Sequence, residues 1–229
     1  MRRLLPEPAD DVTVDTAYGA PLGALDGRPW VGMCMIASID GSTVVDGTSA
    51  KLSSPTDIAV LTRLRRLADV IVVGAQTVRD EGYGAPDKPG QRIGVVTASG
   101  ELDYASELFS SGSGFLITSG SARLSVPEHV DVLRTGSDHI DFDAVIRALP
   151  SLIEPCRFVQ VEGGAALNGA LFAADMIDEI NLTTSAATFG GDGPRLAHGA
   201  PPHAHRFEVV QLAIDEQSYV YTRWLRRRD

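Results

Sequence analysis

Residues 157–171, RFVQVEGGAALNGAL, decide how the rest of the chain is read. Phe158, Val159 and Val161 form an apolar run of strand length. A carboxylate and two glycines follow at Glu162-Gly163-Gly164, and Ala165 to Leu171 then carries helix-forming residues. A strand that stops at two glycines and turns into a helix presents free backbone N–H groups with no side chain in the way, which suits a phosphate. The same stretch also serves as the tight strand–helix turn of an α/β protein. A second site of the same kind, residues 69–78 (DVIVVGAQTV), favours the ligand. Its β-branched run has no polar alternation, as a strand covered on both faces requires.

Working outward, residues 31–37 (VGMCMIA) form a buried strand that ends at the turn Ser38-Ile39-Asp40-Gly41, and Asp46-Gly47 marks another turn. Ser54-Pro55-Thr56-Asp57 opens a helix, with Ser54 as N-cap, Pro55 at the first position and Asp57 at the third. Ile58, Leu61, Leu64, Leu67 and Ala68 give that helix its apolar stripe. Short strands are predicted at 92–97, 114–118 and 130–133, with helices over 103–110 and 141–152. The helix after Gly164 runs to about Asp175, and strands follow at 178–189, 206–214 and 219–225. Alternating β/α units with a strand-rich end predict an α/β fold: one three-layer α/β/α domain over 31–229. Its central sheet is mixed and mainly parallel, with antiparallel C-terminal strands. Residues 1–30, rich in Pro, Gly and Asp, are expected to form an irregular arm.

A formal net charge of −10 with no basic stripe argues against nucleic acid as a partner, and Arg226-Arg227-Arg228 reads as a solvated end. The only two cysteines, Cys34 and Cys156, lack C-x-x-C spacing or a nearby histidine, which fits a reducing compartment. Pro6, Glu7, Asp10 and Asp11 interrupt the start too soon for a signal-peptide core, and no apolar run is long enough to span a bilayer. A soluble cytoplasmic protein without membrane partners is expected. His198, His203 and His205 flank Pro201-Pro202 with no cysteine or carboxylate among them, so they read as a loop and no metal is assigned. Tyr83 and Trp30 could stack on a ring or pack in the core.

Both strand-to-turn sites follow strands predicted central in the sheet, and ligands of open α/β sheets sit at the carboxyl ends of such strands. Neither site is G-x-G-x-x-G and no acidic residue closes a strand at the dinucleotide-fold spacing, so a Rossmann domain is not supported. Two separate turns suit a dinucleotide stretched across the sheet, with Thr97-Ala98-Ser99-Gly100 and Thr118-Ser119-Gly120 adding hydroxyls after two more strands.

The order Ser38-Ile39-Asp40-Gly41, Leu64-Arg65, Ala68 to Val78, Val161 to Asn168, then Phe189-Gly190-Gly191 resembles the reductase domain of riboflavin biosynthesis, the RibD C-terminal type of pyrimidine reductase. The resemblance spans roughly residues 31–225. It implies a dihydrofolate-reductase-like fold, a homodimer, and reduction by NADPH of a 5-amino-6-ribosylamino-pyrimidine phosphate to its ribitylamino form. With no H-x-E and no P-C-x-x-C for a zinc deaminase, a stand-alone reductase is expected. By position, the resemblance assigns Gly74, Thr77 and Val78 to the cofactor pyrophosphate, with Glu162, Gly163, Gly164 and Leu167 at the second turn. It assigns Thr97 and Ser99 to the adenosine ribose and its 2′-phosphate, and Ser38, Asp40 and Thr43 to the nicotinamide and substrate. Hydride transfer needs donor and acceptor held together while the cofactor supplies the reactivity. The acceptor would be the C1′ imine of the ring-opened sugar, and the proton would come from water or Asp40.

Asp57 has two compatible roles, completing a capping box with Ser54 or contacting substrate and catalysing at a cleft. The chain departs from the family on the substrate side. Ile58 stands where relatives carry an arginine, and Arg79-Asp80-Glu81-Gly82-Tyr83-Gly84 replaces a segment that supplies another. Arg65 and Arg79 are the candidates to meet the substrate phosphate. Two further readings share this sequence pattern, a reductase of a pterin or dihydrofolate-like substrate and a non-catalytic nucleotide-binding relative.

Overall fold

In the computed structural model, which describes residues 1–19 and 27–228, β3 (Val70–Gly74) sits inside a ten-stranded sheet. Val70 and Val72 enter one hydrophobic cluster and Ile71 and Val73 another, the period of two that a strand buried on both faces must show. The parallel neighbours of β3 are β7 (Phe158–Val161) and β4 (Arg92–Val96). Outward from β4 lie β5 (Gly114–Ser119) and β6 (Val132–Thr135), both parallel. On the other side β7 pairs with β2 (Trp30–Ser38), and β2 with β8 (Glu179–Ser185), again in parallel. The direction then reverses through β10 (Val220–Arg226) and β9 (Phe207–Ile214). The sheet is therefore mixed and mainly parallel, with antiparallel strands from the C-terminal part of the chain.

Two helices cover one face. Phe142, Val145, Ile146 and Leu149 of α5 (Phe142–Leu152) and Leu167 and Leu171 of α6 (Ala165–Ala173) bury against Val31, Met33, Val70, Val159 and Val161. On the opposite face, α3 (Ala75–Glu81) and α4 (Glu107–Ser110) cover Ile71, Val73, Ile93 and Val95. There α2 (Pro55–Leu67) packs Val60 and Leu64 against Tyr18, Ala213 and Tyr221.

The expectation of an irregular arm over residues 1–30 is corrected for the described part. Arg2–Leu5 forms β1, antiparallel to β9, with Arg2 opposite Ile214 and Arg3 opposite Ala213. A short helix, α1 (Val14–Ala17), is capped by Thr13, whose hydroxyl accepts the Thr16 N–H at 3.2 Å, and Val12, Ala17 and Tyr18 are buried beneath it. Composition pointed to coil because β1 is too short to carry its own signal and is specified by its partner strand. Residues 20–26 lie outside the described part.

A buried ion pair joins distant segments. The Arg28 guanidinium donates to both Asp178 carboxylate oxygens at 2.7 Å, and the Val31 N–H and Arg228 add 2.9 and 2.6 Å bonds to the same group. Removing Asp178 from such a pair costs about 3–5 kcal/mol, because the buried Arg28 charge is left without a counter-charge. Asp178, predicted to begin a strand, thus serves as an acceptor just before β8.

Candidate active site

The sheet order brings the two turns together. β3 and β7 are neighbours, and where they end the Gly74 N–H donates to the Gly163 carbonyl at 2.7 Å. The chain turns from β3 into α3 and from β7 into α6, and the residues before these helices, Gly74 and Gly164, offer no side chain to cap them. The first-turn N–H groups of α6 are thus left for a ligand. Gly163 has φ +78°, a Cβ there would stand 3.0 Å from the Met35 sulfur, and the Gly163–Gly164 peptide is cis. A Cβ at Gly164 would stand 3.2 Å from the Thr77 hydroxyl. Glycine therefore keeps the two turns close and open to a cavity of about 1490 Å³ above the carboxyl ends of the strands.

Most of the residues assigned from the sequence line this cavity. Gly74, Thr77, Glu162, Gly164 and Leu167 lie along its middle, Thr97 and Ser99 at the end of β4, and Thr43, Asp57 and Arg65 on the α2 side. Four others do not reach it. Val78 turns inward from α3 and is core, 9% exposed against Ile71 and Val73. Gly163 shapes the turn without lining it, and Ser38 and Asp40 form a clasp outside.

The structure draws Asp40, one of the two candidate proton sources, into this clasp. Its carboxylate accepts the Ser38 hydroxyl and the N–H groups of Phe189 (3.2 Å) and Gly190 (2.7 Å). The Ser38 hydroxyl, then the Gly190 N–H, hold the carboxyl below its usual range, so it stays ionised. Asp40 instead anchors the long segment between β8 and β9, which continues as a strap over the cavity. The N–H and hydroxyl of Thr43 both donate to the Pro194 carbonyl at 2.9 Å, the Asn168 amide donates to Leu196 at 2.7 Å, and the His198 N–H donates to Ala165 at 3.1 Å. Pro194 and His198 line the cavity. The strap passes so close to α6 that a Cβ at Gly169 would stand 2.0 Å from the His198 carbonyl oxygen.

Glu162 and Arg65, assigned to different ligands from sequence, bind each other. Arg65 donates to both carboxylate oxygens at 2.7 and 2.6 Å, and Tyr83 (2.5 Å) and the Gln160 amide (2.7 Å) complete the set. The Arg65 charge is therefore neutralised within the wall. Tyr83 lies in the cavity, 5.1 Å from the Arg65 guanidinium, whereas the indole N–H of Trp30 donates to Glu179 at 3.1 Å, well away.

At Asp57 only half of the capping box forms. The Ser54 hydroxyl accepts the Asp57 N–H at 3.1 Å, but the Asp57 carboxylate takes the Ser53 hydroxyl at 2.8 Å. Asp57 is 8% exposed. Burial pushes its carboxyl above the usual range, partly offset by hydrogen bonds from Thr183 and Ser53. Gln160, Ser53, Thr183 and the strap escaped sequence reasoning, since each acts across the fold rather than within a motif. Thr118, which the sequence placed among the hydroxyls at the strand ends, lines the cavity, is fully buried, and its hydroxyl has no partner. An unpartnered buried hydroxyl and uncapped helix amides in one cavity fit an extended, phosphorylated ligand. His205 stands 3.5 Å from Asp175, and no group of three metal-ligating side chains occurs among the described residues. Among them no helix is long and apolar enough to cross a membrane.

Comparison with known proteins points the same way. The model of the RibD C-terminal domain matches residues 29–221. The chain is 28% identical over 190 residues to the 2,5-diamino-6-ribosylamino-4(3H)-pyrimidinone 5′-phosphate reductase of Aquifex aeolicus, covering 75% of this chain and 84% of that protein. With the enzyme of the same description from Archaeoglobus fulgidus it shares 23% over 195 residues, covering 75% of this chain and 87% of that one. Among solved structures, a pyrimidine reductase-like protein from Corynebacterium diphtheriae superposes with a TM-score of 0.80 at 24% identity, covering 95% of this chain and all of the other. The riboflavin biosynthesis reductase Rib7 of Saccharomyces cerevisiae gives 0.69 at 19% identity, covering 88% and 91%.

Proposed function

The chain belongs to the RibD C-terminal domain family, and on that premise we propose that it is an NADPH-dependent reductase of riboflavin biosynthesis. Its substrate is a 5-amino-6-ribosylamino-pyrimidine phosphate, which it converts to the ribitylamino form. The observation that carries this reading is the meeting of the β3 and β7 turns at Gly74 and Gly163, which opens two adjacent helix starts into one cavity. Gly74, Thr77, Gly164 and Leu167 hold the pyrophosphate, Thr97 and Ser99 receive the adenosine end, and the Thr118 hydroxyl is free to donate to the cofactor.

The substrate lies on the α2 side, between Thr43, Asp57 and the Arg65–Glu162 pair. Bound NADPH supplies the hydride, which C1′ of the ring-opened imine accepts while the imine nitrogen takes a proton. Asp57 retains a proton to higher pH than an exposed carboxyl and is the group in the cavity suited to hold that proton, in preference to Asp40. The strap narrows the cavity with Pro194 and His198, and the Arg65–Glu162–Tyr83 network fixes the wall against which the pyrimidine lies.

A fall in NADPH absorbance on adding the 2,5-diamino-6-ribosylamino-pyrimidinone phosphate, with the ribitylamino product identified by mass, is the expected result. Oxidation with dihydrofolate and not with that pyrimidine would move the substrate and keep the cofactor. Absence of any nicotinamide affinity would overturn the reading. The working unit is a cytoplasmic homodimer, a reading supported by the family resemblance; the two free cysteines bear only on the compartment. Light scattering that returns one 24.3 kDa chain would refute the dimer.

A further inference from the structure

We propose that Arg79 reads the 2′-phosphate of the dinucleotide and so sets a preference for NADPH over NADH, a role that rests on the cofactor reading above. Gly74 at the end of β3 is in register with Val96 at the end of β4, so the α3 helix that leaves β3 runs beside the segment that leaves β4. From the last turn of α3, Arg79 reaches across to that segment. Its Nη1 donates to the Glu101 backbone carbonyl at 2.8 Å, and its Nη2 donates to the Gln76 side-chain oxygen at 2.7 Å. The Gln76 amide nitrogen is itself held by Asp80 at 2.7 Å, which leaves the oxygen to Arg79.

Both acceptors of the guanidinium are neutral. Arg65 in the same cavity is cancelled by Glu162, whereas among the described residues no carboxylate pairs with Arg79. A cation held in position by neutral oxygens keeps its charge and its remaining N–H groups for an anion. Beside it, the Ser99 hydroxyl accepts the Glu101 N–H at 3.3 Å and the Thr97 hydroxyl accepts the Gly100 N–H at 2.9 Å, so each retains its own proton to donate. Arg79, Ser99 and Thr97 all line the cavity. A guanidinium from α3 beside two hydroxyl donors on the turn after β4 matches a phosphate monoester dianion, and a ribose hydroxyl in its place would leave the charge unanswered.

The test titrates the full chain and Arg79→Gln with 2′,5′-ADP and with 5′-AMP by calorimetry. The native chain should bind 2′,5′-ADP roughly 10- to 100-fold more tightly than 5′-AMP. Arg79→Gln should bind the two alike, by losing affinity for 2′,5′-ADP while keeping that for 5′-AMP. The NADPH:NADH ratio of kcat/KM should fall by the same factor. A variant that keeps the 2′,5′-ADP preference overturns the assignment of Arg79 and leaves the cofactor reading standing, as does a native chain that binds both nucleotides equally. A native chain that binds neither, nor NADPH, removes the cofactor reading itself.

Discussion

Asp57 shows how one side chain can serve the fold poorly and the chemistry well. An exposed aspartate titrates near 3.9. In the folded cavity burial raises that value, so between the two the folded chain binds more protons than the unfolded one. Stability then falls as pH rises through this window, and the loss persists at neutral pH. Asp57→Asn cannot ionise and keeps the N–H that Ser54 caps. Its melting temperature should exceed that of the native chain at pH 7, the gain should vanish near pH 3, and kcat should fall. Thermal unfolding across pH decides this, since a gain independent of pH would mean that ionisation is not the cause. The start of α2 was legible from Ser54-Pro55-Thr56-Asp57 because capping is local. The turn of the Asp57 carboxylate to Ser53 and Thr183 was not, because Thr183 arrives from a strand 126 positions later in the chain. The fastening of Asp40 was hidden for the related reason that its N–H donors, Phe189 and Gly190, lie 149 and 150 positions away in the chain.

At the level of elements, the strap between β8 and β9 adds Pro194 and His198 to the wall of the cavity. It is fastened at the Asp40 clasp, at Thr43 and on α6, and the last fastening depends on Gly169. Since the atom that a Cβ would meet there is a backbone oxygen, the strap or the helix has to move. Gly169→Ala is expected to cost about 1–3 kcal/mol, the range for overpacking a filled site. Because Pro194 and His198 line the cavity, it should also raise KM. Urea unfolding with steady-state kinetics checks both, and unchanged KM in a destabilised variant would show that the strap does not shape the site. The strand–turn–helix units at 69–78 and 157–171 were readable because glycine and β-branched runs are strong local signals. The strap lacks periodicity, and nothing in its residues foretold which surface it would cross.

For the whole molecule, the decisive fact is sheet order rather than chain order. β7 follows β3 by some eighty residues yet lies beside it, and only this adjacency makes one cavity from two turns. Alternating helices and strands foretold a parallel sheet, and the family resemblance supplied the fold type, but the order of the strands came only with the structure. Long-range pairs such as Arg28 with Asp178 stayed hidden, since neither residue carries a local signature. The pairing of β1 with β9 has a practical consequence. A chain shortened to begin at residue 6 would keep every cavity residue, Arg28 and the buried Tyr18, and strip only β1 from the sheet. The backbone of β9 would then be bare along one side, an adhesive border ready to recruit a strand from another molecule. Such a shortened protein should bind nucleotide as the full chain does but gather into high-mass species at rising concentration. Size-exclusion profiles of the two lengths would reveal the difference, and identical profiles would mean that the first five residues are dispensable.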